Sequence, residues 1–137
     1  MKNLFLVRGL PGSGKTTFVN SIKLAISEIV YHLEADMYFT KHDLDYEENV
    51  KIHIAKAHNW CQECTEDGML AGIKNIFVSN TFTQQWELDP YIRFAKKHNY
   101  VIHILTMDNH HRGESIHNVP ESVLENMEKR FERSVRS

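Results

Sequence analysis

A glycine-rich stretch near the start of the chain, residues 9–16, constrains this sequence more than any other feature. Its letters, GLPGSGKT, fit the phosphate-binding pattern G-x-x-x-x-G-K-[S/T] at every fixed position. A short apolar run at residues 4–7 precedes it, and residues 17–29 have helical spacing. In such a strand–loop–helix unit, backbone N–H groups point at phosphate oxygens beside the positive end of the helix. The stretch therefore predicts a nucleoside triphosphate site, but it does not specify the reaction.

Two side chains of this loop carry specific expectations. Lys15 would reach the β- and γ-phosphates of ATP, and the Thr16 hydroxyl would hold Mg²⁺. The residues expected to contact these cofactors are Gly9, Pro11, Gly12, Ser13, Gly14, Lys15, Thr16 and Thr17.

Composition limits the classes of partner. A chain of 137 residues with 42% hydrophobic and 25% charged residues can bury one core. The net charge of −2 gives no global positive field, so contact with a nucleic acid requires a local patch. No apolar run is long enough to span a membrane and no signal peptide pattern is present, so we expect a cytoplasmic protein.

Cysteine and histidine give no sign of a dedicated metal centre. Cys61 and Cys64 are three residues apart, which fits the inner face of a helix better than a redox or metal pair, because no second pair exists. The nine histidines do not fall in a known ligand spacing. We therefore expect no metal other than nucleotide-bound Mg²⁺.

Strands and helices alternate along the chain. Strands are predicted at residues 3–8, 29–33, 76–78 and 100–105, and helices at 14–29, 47–67, about 84–98 and from 120 onward. Polar segments separate them at residues 40–46 and 108–119, and Gly68 is expected to end the second helix. The residues expected to face the core from the helices are Phe18, Val19, Ile22, Ala25, Ile26, Val50, Ile54, Ala57, Cys61, Cys64, Val123, Leu124, Met127 and Phe131.

This alternation predicts one α/β domain over residues 1–137, a three-layer sandwich with a small, mainly parallel sheet of about four strands. Ligands of such sheets bind outside the carboxyl ends of the strands. We therefore expect the phosphate loop, Asp36, residues 79–81 and residues 106–113 to surround one crevice, with a lid at about 106–119.

Asp36 is the candidate general base. It follows the strand after the phosphate-loop helix, where a carboxylate can accept the proton of an attacking hydroxyl. Glu34 lies two residues earlier and is expected to point toward the same face, so it competes for this role.

The order of motifs resembles the small P-loop kinases related to the kinase domain of phage polynucleotide kinase. The matching segments are RGLPGSGKT at 8–16, ADMYF at 35–39, AHNWC at 57–61, NT at 80–81, WE at 86–87, PY at 90–91, HRG at 111–113, NVP at 118–120 and Met127. The resemblance implies that Asp36 is the general base and that Lys15 and Thr16 contact phosphate and Mg²⁺. It also implies that Arg112 is a lid arginine bridging the donor phosphates, and that Thr81 lines the acceptor crevice.

The departures from this family concern the acceptor. Phe39 stands where the phage kinase has an arginine for the acceptor phosphate, and Asn80 replaces the partner acid of that arginine. Asp108 stands in place of a second lid arginine, and no carboxylate follows the third strand. Mg²⁺ would then rely on Thr16, phosphate oxygens and water.

Aromatic residues offer another way to hold an acceptor. Tyr38, Phe39, Phe82 and Trp86 can provide flat surfaces for a base, although some belong to the core. Basic residues on two helices give modest support for a nucleic acid, but a solvated surface explains them as well: Arg93, Lys96 and Lys97, and Lys129, Arg133 and Arg136.

We therefore predict an ATP- and Mg²⁺-dependent kinase whose acceptor is a hydroxyl of a nucleic acid, with DNA favoured and a 5′-hydroxyl end preferred. Its substrate-binding residues would be Tyr38, Phe39, Asn80, Thr81 and Trp86. Three alternatives stay open: a kinase of hydroxymethylated bases in phage DNA (in the host-cell cytoplasm), a small-molecule or nucleoside kinase, and an ATP-binding switch module. The oligomeric state and the nucleobase preference stay open too.

Overall fold

The computed structural model describes residues 1–108 and 119–137 and contains a four-stranded sheet in which all the pairings are parallel. Its strands are β1 (Asn3–Arg8), β2 (Val30–Leu33), β3 (Asn75–Asn80) and β4 (Val101–Thr106). The strand order is β2-β3-β1-β4, so the phosphate loop leaves the sheet from a central strand. The predicted α/β class with a small parallel sheet is confirmed.

Helices cover both faces of this sheet, as expected for parallel strands. The described helices are α1 (Lys15–Ala25), α2 (Met37–Lys41), α3 (Tyr46–Leu70), α4 (Gln85–Lys97) and α5 (Glu121–Arg130). Successive side chains of β1 point to opposite faces. Leu4 and Leu6 accordingly pack with buried residues of α3 and α4, whereas Val7 packs with Val19 of α1.

The first helix is shorter than its apolar spacing predicts. It ends at Ala25, and Ile26 is already extended, with φ −116° and ψ 148°. Ala25, Ile26 and Ile29 are all exposed, so the prediction that Ala25 and Ile26 face the core is wrong. The backbone must leave the helix here in order to enter β2 at Val30.

Two features around α3 also correct the sequence-based expectations. Gly68 lies inside α3, which continues to Leu70. A Cβ atom at this position would lie 2.9 Å from the Tyr31 ring, so the glycine allows close packing of helix on strand and does not end the helix. The predicted loop at 40–46 begins inside a short helix, α2, whose Phe39 is buried.

The C-terminal region is anchored by the segment after α5 and not by the helix itself. Within the described residues, α5 has no buried side chain, and Val123 is 38% exposed, contrary to its predicted inward position. Leu124 and Met127 are only half-buried. Phe131 is buried, and its ring lies 4.1 Å from the guanidinium carbon of Arg8.

The buried guanidinium of Arg8 joins this C-terminal region to the turn after β3. Its Nε and Nη2 atoms donate to the carbonyl oxygen of Phe82, at 3.0 and 2.8 Å. The N–H of Glu132 donates to the Thr83 carbonyl at 2.7 Å. These contacts fix the segment after α5 beside the carboxyl edge of the sheet.

Candidate active site

The phosphate loop has a backbone that its sequence requires. Gly14, at the N-cap of α1, has φ +92°, a left-handed conformation that side-chain-bearing residues rarely adopt. At Gly9 a Cβ atom would lie 2.5 Å from Ser13 Oγ and 2.8 Å from the Met107 carbonyl oxygen. The loop is therefore closely packed against the residue after β4 at Gly9, whereas the space around Gly14, at the start of α1, is open.

Lys15 lies over this loop. Its ammonium donates to the carbonyl oxygens of Gly9 and Leu10, at 2.8 and 3.0 Å. Burial lowers the pKa of Lys15 to about 8, although the nearby carboxylates of Glu34 and Asp36 act in the opposite direction. Lys15 therefore interacts electrostatically with both carboxylates that the sequence singled out.

Thr16 is hydrogen-bonded to Glu34, the first residue after β2. Its hydroxyl donates to Glu34 Oε1 at 2.5 Å. The same carboxylate oxygen accepts a hydrogen bond from Ser79 Oγ at 3.0 Å, and it lies 3.2 Å from His32 Nε2. His32 Nε2 also lies 2.6 Å from Ser79 Oγ. Sequence reasoning named Glu34 only as a rival base and Ser79 only as part of the 79–81 turn, and it missed His32.

These hydrogen bonds control the charge of Glu34. Burial alone would raise the pKa of its carboxyl group, but the hydrogen bonds from His32, Thr16 and Ser79 outweigh burial and lower it to about 2. Glu34 is therefore a carboxylate throughout the physiological pH range. A group of such low basicity is a poor proton acceptor.

Asp36 lies in a different conformation from the one that strand alternation predicts. β2 ends at Leu33, and Asp36 has helical dihedral angles, φ −61° and ψ −23°, at the N-cap of α2. Within the residues that the structure describes, its carboxylate makes no capping hydrogen bond to that helix. Besides Lys15, the carboxylate acts electrostatically on His58 and Tyr46, so it lies among titratable groups of α1 and α3.

Asn80 holds the turn that carries Asp36. Its side-chain Oδ1 accepts a hydrogen bond from the backbone N–H of Ala35 at 2.9 Å, and its Nδ2 donates to Cys61 Sγ at 3.8 Å. Asn80 is only 8% exposed, so its amide is a support for the turn. Thr81, which is half-buried, accepts a hydrogen bond at its carbonyl oxygen from the Gly9 N–H at 3.2 Å.

The four aromatic candidates divide into two pairs. Phe39 and Phe82 are each 2% exposed, so they are the members of the four that belong to the core, and the expected contact of Phe39 with a substrate is not available to its covered ring. Trp86 is 67% exposed, and Tyr38 is half-buried beside His42, with 4.1 Å between ring centroids. Tyr38 and Trp86 remain candidates for acceptor contact.

A pocket of about 250 Å³ lies between the phosphate loop and the C-terminal segment. Its walls come from the loop, the end of β4, α5 and the segment after α5. Phe131, which Arg8 supports, forms part of the wall. Arg133 also lines it and lies 3.5 Å from Asp108. The pocket therefore borders the phosphate loop on one side and the C-terminal segment on the other.

The described residues fit a nucleotide-bound Mg²⁺ but not a closed protein metal centre. Within residues 1–108 and 119–137, no group of three or more His, Cys, Asp and Glu side chains could hold a metal ion. Thr16 and Glu34 together offer a hydroxyl and a carboxylate beside the loop. Hard oxygen donors with water and phosphate completing the shell are what Mg²⁺ requires.

Other sequence-based expectations fall outside this region. Arg112 and most of the expected lid lie outside the described residues.

The two cysteines are not a reactive pair. Cys61 is buried and Cys64 half-buried, and burial raises the pKa of Cys61 to about 11, so Cys61 is no reactive thiol. Among the helices that the structure describes, none is long and apolar enough to cross a membrane.

The amino-acid sequence was compared with those of known proteins. The chain is similar to NEDD4-binding protein 2 of Homo sapiens, with 34% identity over 99 residues, or 72% of this chain and 5% of that protein. This chain thus corresponds to a small part of its curated relative.

Solved structures share the fold at low identity. A chain of the Pnkp1/Rnl/Hen1 RNA repair complex matches with a TM-score of 0.60 and 17% identity, covering 99% of this chain and 40% of that one. A sugar kinase from Janibacter sp. matches with a TM-score of 0.61 and 17% identity, covering 98% and 80%. A family model described as an AAA domain matches residues 4–134. The protein therefore belongs to this AAA domain family and has the nucleotide-binding fold of the small P-loop kinases.

Proposed function

We propose that this protein is an ATP- and Mg²⁺-dependent kinase that transfers the γ-phosphoryl group to a hydroxyl of a nucleic acid, preferably a 5′-hydroxyl end. The observation that carries the proposal is the convergence of Lys15 and Asp36. The ammonium of the phosphate loop interacts electrostatically with the carboxylate of Asp36, the residue at the N-cap of α2.

The donor half consists of the loop and the pocket beside it. The loop N–H groups and Lys15 bind the β- and γ-phosphates once Lys15 exchanges its two carbonyl acceptors for phosphate oxygens. The pocket of about 250 Å³ receives the nucleoside. Thr16 would hold Mg²⁺ together with phosphate oxygens, and the ion would supply positive charge that neutralises the phosphates.

The acceptor half is centred on Asp36. Its carboxylate accepts the proton of the acceptor hydroxyl while the hydroxyl oxygen bonds to the γ-phosphorus. The bond from that phosphorus to the β–γ bridging oxygen breaks, and ADP leaves. The resemblance implies that Arg112 neutralises the negative charge on the transferring phosphoryl group.

Support for a nucleic acid acceptor comes from two aromatic residues, Tyr38 and Trp86. The Trp86 ring is exposed and Tyr38 is half-buried, and Lys41 Nζ lies 5.9 Å from the centroid of the Trp60 ring, which in turn packs near Tyr38. Aromatic rings with nearby cations bind single-stranded bases by stacking. The similar chain in an RNA repair complex is consistent with this acceptor. Accessible aromatic rings also suit a hydroxymethylated base that is flipped out of the DNA duplex.

A small-molecule kinase is the second candidate, and ion pairs on the surface favour it. Lys97 pairs with Glu66 at 3.3 Å, and Arg133 pairs with Asp108 at 3.5 Å, which reduces the positive charge available to a polyanion. The likeness to a sugar kinase, which covers 80% of that chain, agrees with it.

One assay separates these acceptors. ATP labelled at the γ-phosphate is offered with a 5′-hydroxyl oligonucleotide, a 5′-phosphorylated oligonucleotide containing hydroxymethyluracil, and a panel of sugars and nucleosides. We expect label on the 5′-hydroxyl oligonucleotide. Label on sugars or nucleosides alone would establish the second candidate. Slow ATP hydrolysis with no labelled acceptor would identify a switch module and refute the kinase proposal.

A further inference from the structure

We propose that Glu34 is the carboxylate that positions Thr16 and the water shell of the nucleotide's Mg²⁺. In P-loop NTPases generally, the loop Ser or Thr shares this task with an aspartate of the Walker B strand. Here β3, the strand beside the phosphate-loop strand, carries Ser79 near its end, and the carboxylate comes from the residue after β2 instead. This inference rests on the proposed nucleotide-dependent function.

Strand register explains why Glu34 can replace a carboxylate of β3. β2 and β3 pair in parallel with Leu33 opposite Val78. The next residues along the two strands, Glu34 and Ser79, are therefore neighbours, and their side chains are joined by a 3.0 Å hydrogen bond. Moving the carboxylate from one strand to the next displaces its backbone by about one strand spacing, yet the Glu34 side chain still reaches both Thr16 and Ser79.

The hydroxyl of Thr16 is oriented for a cation by this contact. A hydroxyl has one hydrogen and two lone pairs. Because Thr16 donates its hydrogen to Glu34 at 2.5 Å, its lone pairs point away from the carboxylate. They are thus available to a metal ion on the loop side, with no need for the hydroxyl to turn.

His32 and Ser79 hold the carboxylate in place. With the proton on Nε2, His32 faces both Ser79 Oγ and Glu34 Oε1, and Ser79 donates to Glu34. His32 and Ser79 are both buried, at 7% and 2% exposure, so the chain of hydrogen bonds is shielded from water. Glu34 is 19% exposed at its side chain, which leaves part of its carboxylate open to metal-bound water.

This assignment separates the two carboxylates of the site. Glu34 accepts hydrogen bonds from side chains on the metal side, whereas Asp36 lies beyond the end of β2 on a separate turn. Glu34 therefore acts as a positioning residue for the metal, and Asp36 stays the candidate proton acceptor.

The test measures metal binding directly. Mn²⁺ is titrated into the purified protein with saturating ADP, and free Mn²⁺ is followed by electron paramagnetic resonance; ADP affinity without metal is measured separately by calorimetry. Glu34→Gln keeps the size of the side chain but removes its charge. We expect it to weaken Mn²⁺ binding about 10- to 100-fold, the usual effect of losing an outer-shell partner, with metal-free ADP affinity retained.

Two further variants sharpen the result. Glu28→Gln is the matched control, because Glu28 also accepts a hydrogen bond from a side chain of β3, that of Asn75, but at the opposite end of the strand. It should bind Mn²⁺ like the wild type. The double variant Glu34→Ser with Ser79→Asp returns the carboxylate to β3 and should restore most of the Mn²⁺ affinity.

Retained Mn²⁺ affinity in Glu34→Gln, within twofold of the wild type and with normal ADP binding, overturns this inference and leaves the proposed function standing. Failure of the wild type to bind ADP at all refutes the proposed function, and the inference fails with it. A thermal unfolding curve shows whether each variant is folded.

Discussion

The proposed donor and acceptor halves of this site are built in different ways. The donor loop is one continuous segment, whose backbone is set by glycines such as Gly14 and by close contact with the end of β4. The acceptor side is assembled from separate segments: Asp36 stands on a turn after β2, and Asn80 of β3 holds that turn. A continuous motif can be recognised in a sequence, whereas an assembled surface depends on contacts between distant residues.

The largest effect is expected at the acceptor side. Asp36→Asn keeps the shape of the side chain but removes the proton acceptor, so the turnover rate should fall about 10²- to 10⁴-fold. ADP affinity should stay within about twofold of the wild type. Initial rates and calorimetry measure the two quantities. Asp45→Asn, which retains the N-cap of α3, is the control and should keep its activity. An active Asp36→Asn variant would mean that another group is the base.

The next largest effect is expected at the donor side, where binding and turnover should fall together. Lys15→Ala removes a charged donor that would contact phosphate oxygens, which is worth about 1.5–3 kcal/mol, or about 10- to 150-fold in affinity. ADP titration by calorimetry measures the loss. Unchanged affinity would contradict the assignment of the loop.

Proton linkage at Lys15 gives a smaller effect that belongs to the donor half. Burial holds its pKa at about 8 in the free protein, so the ammonium loses its proton as pH rises through 8. Bound phosphate favours the charged form of Lys15, so above pH 8 Lys15 must take up a proton when ADP binds. The affinity for ADP therefore falls as the pH rises above 8, by at most about tenfold per pH unit. Lys15→Arg stays charged and should have no slope in this range. Equal slopes in both proteins would assign the titration to another group.

The smallest effect should distinguish the acceptor surface from the donor loop. Trp86→Ala removes an exposed ring, and loss of one stacked base should raise the KM for an oligonucleotide about fivefold or more. Trp86→Phe keeps a flat ring and should retain most of the affinity. The KM for ATP should not change in either variant. An unaltered oligonucleotide KM in Trp86→Ala would remove this residue from the acceptor site.

The features that were predicted correctly from sequence are those fixed by neighbouring residues. The apolar run indicated β1 with its observed bounds, Asn3–Arg8, and the glycines indicated the loop after it. Gly68 was misjudged because a helix stop and a close approach of the Tyr31 ring require the same residue type. Only the packed structure separates these two reasons.

The roles of polar residues were harder to predict, because they depend on the register between strands. Nothing near Ser79 in the sequence indicates Glu34 as its partner, since 45 positions separate them. Their contact follows from the parallel pairing of β2 and β3. Phe39 likewise lies beside polar residues in sequence, yet it is buried because α2 turns it toward α3, where it meets Tyr46 edge to face.

The buried guanidinium of Arg8 has a consequence for nucleotide affinity. It holds the turn after β3 and the ring of Phe131 at the same time, so this turn and one wall of the pocket beside the phosphate loop are joined through one side chain. Under the proposed function, a nucleoside that enters this pocket would meet a wall that these contacts already hold in place. Less of its binding free energy is then spent on restricting the motion of the protein, and more remains as affinity.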